Sequence, residues 1–302
     1  MLFGRTPLLQ ALNITPIIKA QKMKNASTGS GAVIPPAPIN QQQQNHTIVP
    51  IVQPPVPPLN LPRLDLLEGP VENYFKVGVP LYEAAIRGDW KATKLILDKQ
   101  PDLIRFAITE NYETLLHIAA STESTKSVEE FVMNLVQLMD KKDLELQNKN
   151  SNTALSLAAV AGNVKTAMIL VNKNPILIEI PGNDRIMPLY MAALFAKPDM
   201  VRYLYGISKK MSGDFWFHDN RGWVLQKCVD ADIFDVALKI VDDCPELTAN
   251  KGLLSDVLVA LAQKTHAFER SRPHIMFRVI KSILVWPVIM VQGGRANDPT
   301  SL

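Results

Sequence analysis

One five-residue pattern, Leu-x-x-Ala-Ala, recurs through the chain at nearly constant spacing, and it constrains the fold more than any bulk property. Clean copies read Leu81-Tyr82-Glu83-Ala84-Ala85, Leu116-His117-Ile118-Ala119-Ala120, Leu155-Ser156-Leu157-Ala158-Ala159 and Leu189-Tyr190-Met191-Ala192-Ala193. Two decayed copies follow, Leu225-Gln226-Lys227-Cys228-Val229 and Leu258-Val259-Ala260-Leu261-Ala262. The anchor leucines are 35, 39, 34, 36 and 33 residues apart. Such a period predicts a turn followed by two antiparallel helices, a unit that closes its apolar face only by stacking on its neighbours.

A second register runs in phase with the first. Pro101, Pro175 and Pro245 each stand 20 residues after an anchor, and Leu103, Leu177 and Leu247 follow them by two. Proline cannot continue a helix, so these positions mark where the second helix of a unit ends. The alanine pair lets the short first helix lie close to its neighbours. Gly88 and Gly162, seven past their anchors, suit a left-handed turn that ends this helix. Asp89 and Asn163 are expected to cap the second helix by accepting from its free N–H groups. Its apolar stripe is read in Leu95, Ile96 and Leu97, and again in Ala167, Ile169 and Leu170.

The irregular places have sequence causes. A polar insert, Ser121 to Ser127, precedes a helix over Val128 to Met139 and accounts for the 39-residue interval. Unit four has Lys197-Pro198-Asp199 where glycine is expected, then a long connector from Gly206 to Asn220. That connector holds Phe215-Trp216-Phe217, which reads either as packing between units four and five or as an exposed aromatic contact centred on Trp216.

Residues 1–77 have a different texture and are read as a disordered tail. A glutamine run, Gln41 to Gln44, and the prolines from Pro35 to Pro58 leave no basis for a core. The tail also carries the net charge of +3: residues 1–64 hold Arg5, Lys19, Lys22, Lys24 and Arg63 and no acid. Of 32 basic residues, 27 then remain against 29 acidic ones, so the array is close to neutral and offers no footprint for nucleic acid. Five positive charges spread over the tail are too sparse to supply one. Residues 1–24 carry one arginine and no serine, weak grounds for an organellar transit peptide. Cys228 and Cys244 are too few for a disulfide framework or a zinc knot, which points to a reducing, cytoplasmic setting. The most apolar run, Ser282 to Val291, is broken by Pro287 and too short to span a bilayer.

Leu115-Leu116-His117-Ile118-Ala119-Ala120 and Asn152-Thr153-Ala154-Leu155-Ser156-Leu157-Ala158-Ala159 resemble the ankyrin signature Thr-Pro-Leu-His-x-Ala-Ala. More narrowly, Leu81 to Trp90, Asp232 to Leu238 and Leu261 to Lys264 are similar to a plant ankyrin group of the accelerated-cell-death and salt-tolerance type. The resemblance implies an all-α ankyrin-repeat solenoid over 78–268, followed by a C-terminal helix and polar tail over 269–302. It also implies a protein partner, with stress or defence signalling as the setting. Members of that group usually continue into a membrane domain named for a Pro-Gly-Gly motif. This sequence instead ends on the polar stretch Gln292 to Leu302. The alternative expectation is therefore the cytosolic half of a membrane-anchored signalling protein, near the plasma membrane only through partners.

No catalytic constellation is legible, so the chain is read as non-enzymatic, without cofactor or metal, and a small-molecule ligand is not expected. His117 holds the signature histidine position, where a structural hydrogen bond to the neighbouring turn is expected. His266 and His274 flank Arg270 and Arg272 and read as surface. Gly293-Gly294 lacks the Gly-Lys-Ser/Thr ending of a phosphate loop. Partner contacts are expected where stacking leaves side chains free, at the turns and just after the alanine pairs. The turn candidates are Glu110, Asn111 and Glu113, then Lys149, Asn150 and Asn152, then Asp184, with Asp219, Asn220 and Arg221 as a doubtful fifth turn. The helix candidates are Arg87 and Phe195, with Trp216 from the connector.

Overall fold

The computed structural model describes residues 59–264, together with Arg278 and Lys281. The tail up to residue 58, the cluster of Arg270 and Arg272 with His266 and His274, the Ser282–Val291 run and the polar C-terminal end lie outside the described residues.

Among the described residues eleven helices carry the stack, ten in five pairs and the last alone. They are α1 (Val79–Arg87) with α2 (Trp90–Leu97), α3 (Leu115–Ser121) with α4 (Lys126–Leu138), and α5 (Ala154–Ala161) with α6 (Val164–Lys173). Then come α7 (Pro188–Leu194) with α8 (Pro198–Ile207), α9 (His218–Asp230) with α10 (Phe234–Asp243), and α11 (Lys251–Ala262). The first helices α1, α3, α5, α7, α9 and α11 pack successively in one row, and α2, α4, α6, α8 and α10 form the row behind. No strand occurs among the described residues; a single bridge joins Arg63 to Phe106. The fold is an all-α repeat solenoid.

Burial follows the repeat. The anchors Leu81, Leu116, Leu155, Leu189 and Leu225 are buried, as are the alanine pairs of units one to four. Each buried leucine contributes about 2 kcal/mol of transfer free energy. The alanines bring the first helices together at no cost in side-chain volume. The sixth copy departs from its expected register: Leu258 is half-buried, whereas Val257 and Leu261 are buried. Val257-Leu258-Val259-Ala260-Leu261 is thus the unit that faces the stack, one residue earlier than the sequence pattern placed it.

The prolines do what their spacing requires. A 3-10 turn opens at each of them (Pro101–Arg105, Pro175–Glu179, Pro245–Ala249), and Leu103, Leu177 and Leu247 are driven into the core. Unit two has no such proline and uses a one-turn helix, Lys141–Leu144, capped by Asp140 and Asp143.

The first helix ends the same way in four units. Asp89 N donates to Ala84 O, Asn163 N to Ala158 O, Lys197 N to Ala192 O and Ile233 N to Cys228 O. The residue just before each donor is left-handed: Gly88 (φ 67°), Gly162 (φ 83°), Ala196 (φ 50°) and Asp232 (φ 61°). This is the Schellman closure, in which a left-handed residue lets the next N–H reach back to an orphan carbonyl. Units four and five keep the geometry without the glycine.

Several local expectations are corrected. Asp89 does cap α2, accepting from Ala92 N at 3.0 Å, but Asn163 does not cap α6. Its amide reaches back to the previous unit and donates to Ala120 O and Thr122 O (2.8 and 2.6 Å). Leu95 is not part of the buried stripe and stands 62% exposed. Asp219, Asn220 and Arg221 lie inside α9, so unit five has no projecting turn there. Residues 59–77 are folded onto the array, and residue 77 lies in a π-helical turn, Tyr74–Gly78, that runs straight into α1. Tyr74 Oη anchors this entry by donating to Ile108 O at 3.0 Å.

Candidate partner-binding face

The turns between units are small closed loops with a left-handed residue at the tip. Ile108 N donates to Glu113 O, Asn148 N to Asn152 O and Gly182 N to Ile186 O, each closing one loop. Tyr112 (φ 60°), Ser151 (φ 58°) and Arg185 (φ 61°) hold the tips. All three stand four residues before an anchor leucine, a fixed register that the sequence pattern carries and that composition hides.

Neighbouring tips are tied to each other. Lys149 N donates to Asn111 O at 2.8 Å, and the Lys149 ammonium lies 5.6 Å from the centre of the Tyr112 ring. Ser151 Oγ donates to Asn183 Oδ1 at 2.5 Å, and the Arg185 guanidinium stands 5.4 Å from the Phe217 ring. Tyr112 and Arg185 were not among the expected contacts.

The candidate residues divide by exposure. Arg87, Glu110, Lys149 and Asp184 are exposed; Asn111, Asn150 and Phe195 are half-buried. Arg87 makes an ion pair with Glu83 along α1 at 3.3 Å. Glu113, Asn152 and Trp216 are buried, at 2%, 5% and 5% exposure, and do not present side chains to a partner. Their types are polar or aromatic for structural reasons. Glu113 Oε2 accepts from Thr109 Oγ1 at 2.9 Å inside its own turn. Asn152 offers its backbone to two bonds, one from Asn148 N and one from the histidine of the previous unit. Trp216 joins the core between units four and five, so the packing reading of the aromatic connector is the one observed.

The row of first helices supplies the other half of the face. Its exits bring Ile86 and Arg87, Ser121 and Thr122, Ala161, and Leu194 and Phe195 into sequence along the stack. At the equivalent exit of α5, Val160 is fully buried.

The ionisable groups inside the array are structural. His117 is 1% exposed; its Nδ1 accepts from Thr114 N (3.3 Å) and Thr114 Oγ1 (2.9 Å), which leaves Nε2 to donate to Asn152 O at 3.1 Å. Burial pulls its pKa down to about 4, against the backbone bonds that favour the proton, so it is neutral at ordinary pH. Burial raises the Glu113 carboxyl, with bonds from Thr109 and Asn148 opposing. Burial, and secondarily Asp230, pushes Tyr190 up to about 12. It also raises both thiols, Cys228 and Cys244, which makes them poor nucleophiles. Among the described residues no group of three or more His, Cys, Asp or Glu is placed to hold a metal ion. No helix among them is long and apolar enough to cross a membrane.

This arrangement of turns and helix pairs defines a repeat protein whose free side chains lie at the tips and on the inner row. Comparison with known families matches residues 129–213 to ankyrin repeats, in three copies. A curated relative is the Target of rapamycin complex 2 subunit AVO2 of Saccharomyces cerevisiae, 27% identical over 144 residues. The match takes in 48% of this chain and 32% of that subunit, so the chain spans about a third of the relative it matches. Ankyrin repeats imply a scaffold for protein–protein interaction.

Proposed function

We propose that the chain is a non-enzymatic ankyrin-repeat scaffold that holds a protein partner along its turn tips and inner helix row. The observation that carries this reading is the division of the candidates. Glu110, Lys149 and Asp184 project exposed charge from three successive tips, while the polar residues beside them are consumed in closing the turns. Exposed charges that alternate in sign from unit to unit favour a partner with the opposite alternation. Phe195, half-buried at the exit of α7, supplies an apolar contact beside them. The repeat relative in yeast is by name a subunit of a larger complex, which accords with an adaptor role.

The finer setting rests on the plant resemblance of residues 81–90 and 232–238. On that basis we infer a scaffold acting in stress or defence signalling in the cytoplasm. The second reading, an array that is one half of a membrane-anchored protein, has the same basis; sequencing full transcripts across the 3′ end tests it, and their ending without a membrane-spanning region removes it.

The face itself is tested by a variant that keeps the backbone bonds closing the turns: Glu110→Lys, Lys149→Glu and Phe195→Ala together. In proximity labelling in cells the variant should lose a set of neighbours that the parent chain keeps, while its helical content in circular dichroism matches the parent's; some loss of melting temperature is expected from the core contact of Phe195. An identical neighbour set in both would refute this face as the contact.

A further inference from the structure

The segment Leu59–Leu64 is paired by its backbone to the first two units of the array in turn. At the first unit, Arg63 N donates to Arg105 O (3.0 Å) and Ala107 N donates to Arg63 O (2.8 Å). At the second, Gln147 N donates to Asn60 O (2.7 Å) and Asn60 N donates to Gln147 Oε1 (3.3 Å). Ala107 and Gln147 are equivalent, each standing one residue before the N–H that closes its turn. Three residues of segment therefore advance one unit, and three extended residues cover roughly 10 Å, close to the spacing of packed helices.

The same three-residue register, carried on, would set Pro57 against the third equivalent position, which is Pro181. Pro181 has no N–H to donate, and its carbonyl already accepts from Gln147 Nε2 at 3.3 Å. The pairing ladder cannot be extended here. Pro57 in turn has no N–H to leave unpaired, and a polyproline helix needs no backbone partner. At this point the surface opens into a groove of about 630 Å³ whose wall runs past Ile176, Ile180 and Pro181 to Phe215, with Glu145, Glu179, Lys209 and Asp214 at its charged margin. Ile176 is 56% exposed. The chain from Thr47 to Pro62 carries no charge and contains Pro54, Pro55, Val56, Pro57 and Pro58.

We propose that residues 53–58 of this same chain occupy that groove, passing from hydrogen-bonded pairing to proline and valine contacts at the unit where pairing stops being available. Two features argue for the chain's own segment as occupant: continuity with the paired stretch, and the matching loss of donors on both sides where Ile176, Ile180 and Pro181 offer it an apolar strip. Tethering at Leu59 also gives it a local concentration that a separate molecule would not have.

The test places a nitroxide at position 53 (Gln53→Cys) in the full chain, Cys228 and Cys244 being buried. The amide resonances of Ser212, Gly213 and Phe215 should be lost through paramagnetic broadening. They should return when the same labelled chain also carries Val56→Gly, Pro57→Gly and Pro58→Gly, since these changes alter no residue of the helical stack itself and the label stays tethered. The same broadening in both chains, or none at Ser212 to Phe215, overturns the proposal. So does broadening seen only when labelled chain is mixed with unlabelled, isotope-enriched chain, which would assign the groove to a second copy.

Discussion

The imidazole of His117 in unit two donates from Nε2 to the carbonyl oxygen of Asn152, in the turn of unit three, over 3.1 Å. One buried side chain thereby caps its own helix through Thr114 and fixes the next turn. The price is that the ring must stay neutral. Its folded pKa lies at about 4 and its ordinary value at 6.5. Above pH 6.5 neither the folded nor the unfolded chain holds this proton, and stability is undiminished. As pH falls from 6.5 towards 4 the unfolded chain takes the proton first, and stability drops by about 3 kcal/mol in all. Denaturant titrations of the parent and of His117→Gln from pH 7.5 to pH 4 should converge, the variant losing less. Parallel profiles would show that His117 is not the group responsible.

Glu113 works in the opposite sense. Burial raises its folded pKa above the ordinary value of 4.5, so at neutral pH the fold confines a charge that it holds unwillingly. Glu113→Gln keeps an oxygen for Thr109 Oγ1 and removes that charge. The variant should be more stable at pH 7 by about 1 kcal/mol. Its advantage should shrink as pH falls through the raised pKa, where the parent becomes neutral too. Melting temperatures at pH 7 and pH 5 measure this; a variant less stable than the parent at pH 7 would mean that the carboxylate is needed ionised.

The two left-handed glycines should respond unequally to alanine. A Cβ on Gly88 would stand 2.4 Å from the Ser127 carbonyl carbon and 2.5 Å from Val128 N, backbone at the start of α4. One on Gly162 would meet only the Lys197 side chain, at 2.9 Å, which can move aside. Gly162→Ala should cost about 1 kcal/mol, the left-handed penalty alone. Gly88→Ala should cost clearly more, because α4 must shift as well. Ala196→Gly, at φ 50°, should stabilise by a similar single penalty. Equal losses at Gly88 and Gly162 in chemical denaturation would contradict the close approach of α4.

How much of this was legible in the sequence depends on whether a position repeats. The anchors, the alanine pairs and the three prolines recur in phase, and periodicity alone located them. The left-handed closure at Ala196 and Asp232 was hidden because the backbone bond recurs while the glycine does not. The sixth copy slipped by one residue because Leu258 and Val257 are chemically equivalent, and only stacking against α9 decides between them. Among the candidate contacts, Glu113 and Asn152 look like any polar turn residue in sequence. Their burial comes from loop closure and from a histidine 35 residues away, neither of which is a local property. The pairing of Leu59–Leu64 with units one and two was equally invisible, since an extended segment with three leucines and a proline has no period.

The clamp beneath that segment gives the last prediction. Arg105, closing the 3-10 turn of unit one, binds Asp143 of unit two through Nε at 2.6 Å and Nη2 at 3.1 Å. Asp143 is nearly enclosed, its side chain 8% exposed, while the Arg105 side chain is 41% exposed. The same carboxylate accepts from Asp140 N at 2.8 Å, so it cannot turn away to find water. Removing the arginine leaves an enclosed charge with one remaining partner, and Arg105→Met should destabilise by about 2 kcal/mol, the worth of charged hydrogen bonds lost to a group that stays buried. Adding Asp143→Asn removes the orphaned charge and keeps an oxygen for Asp140 N. The double variant should therefore recover part of the loss, although each single change on its own is destabilising. Denaturant titration of the parent, both single variants and the double variant measures the coupling. If the double variant's loss equals the sum of the two single losses, Arg105 and Asp143 do not act as a pair, and the contact between units one and two is held by the packed leucines and the backbone bonds of the Leu59–Leu64 segment.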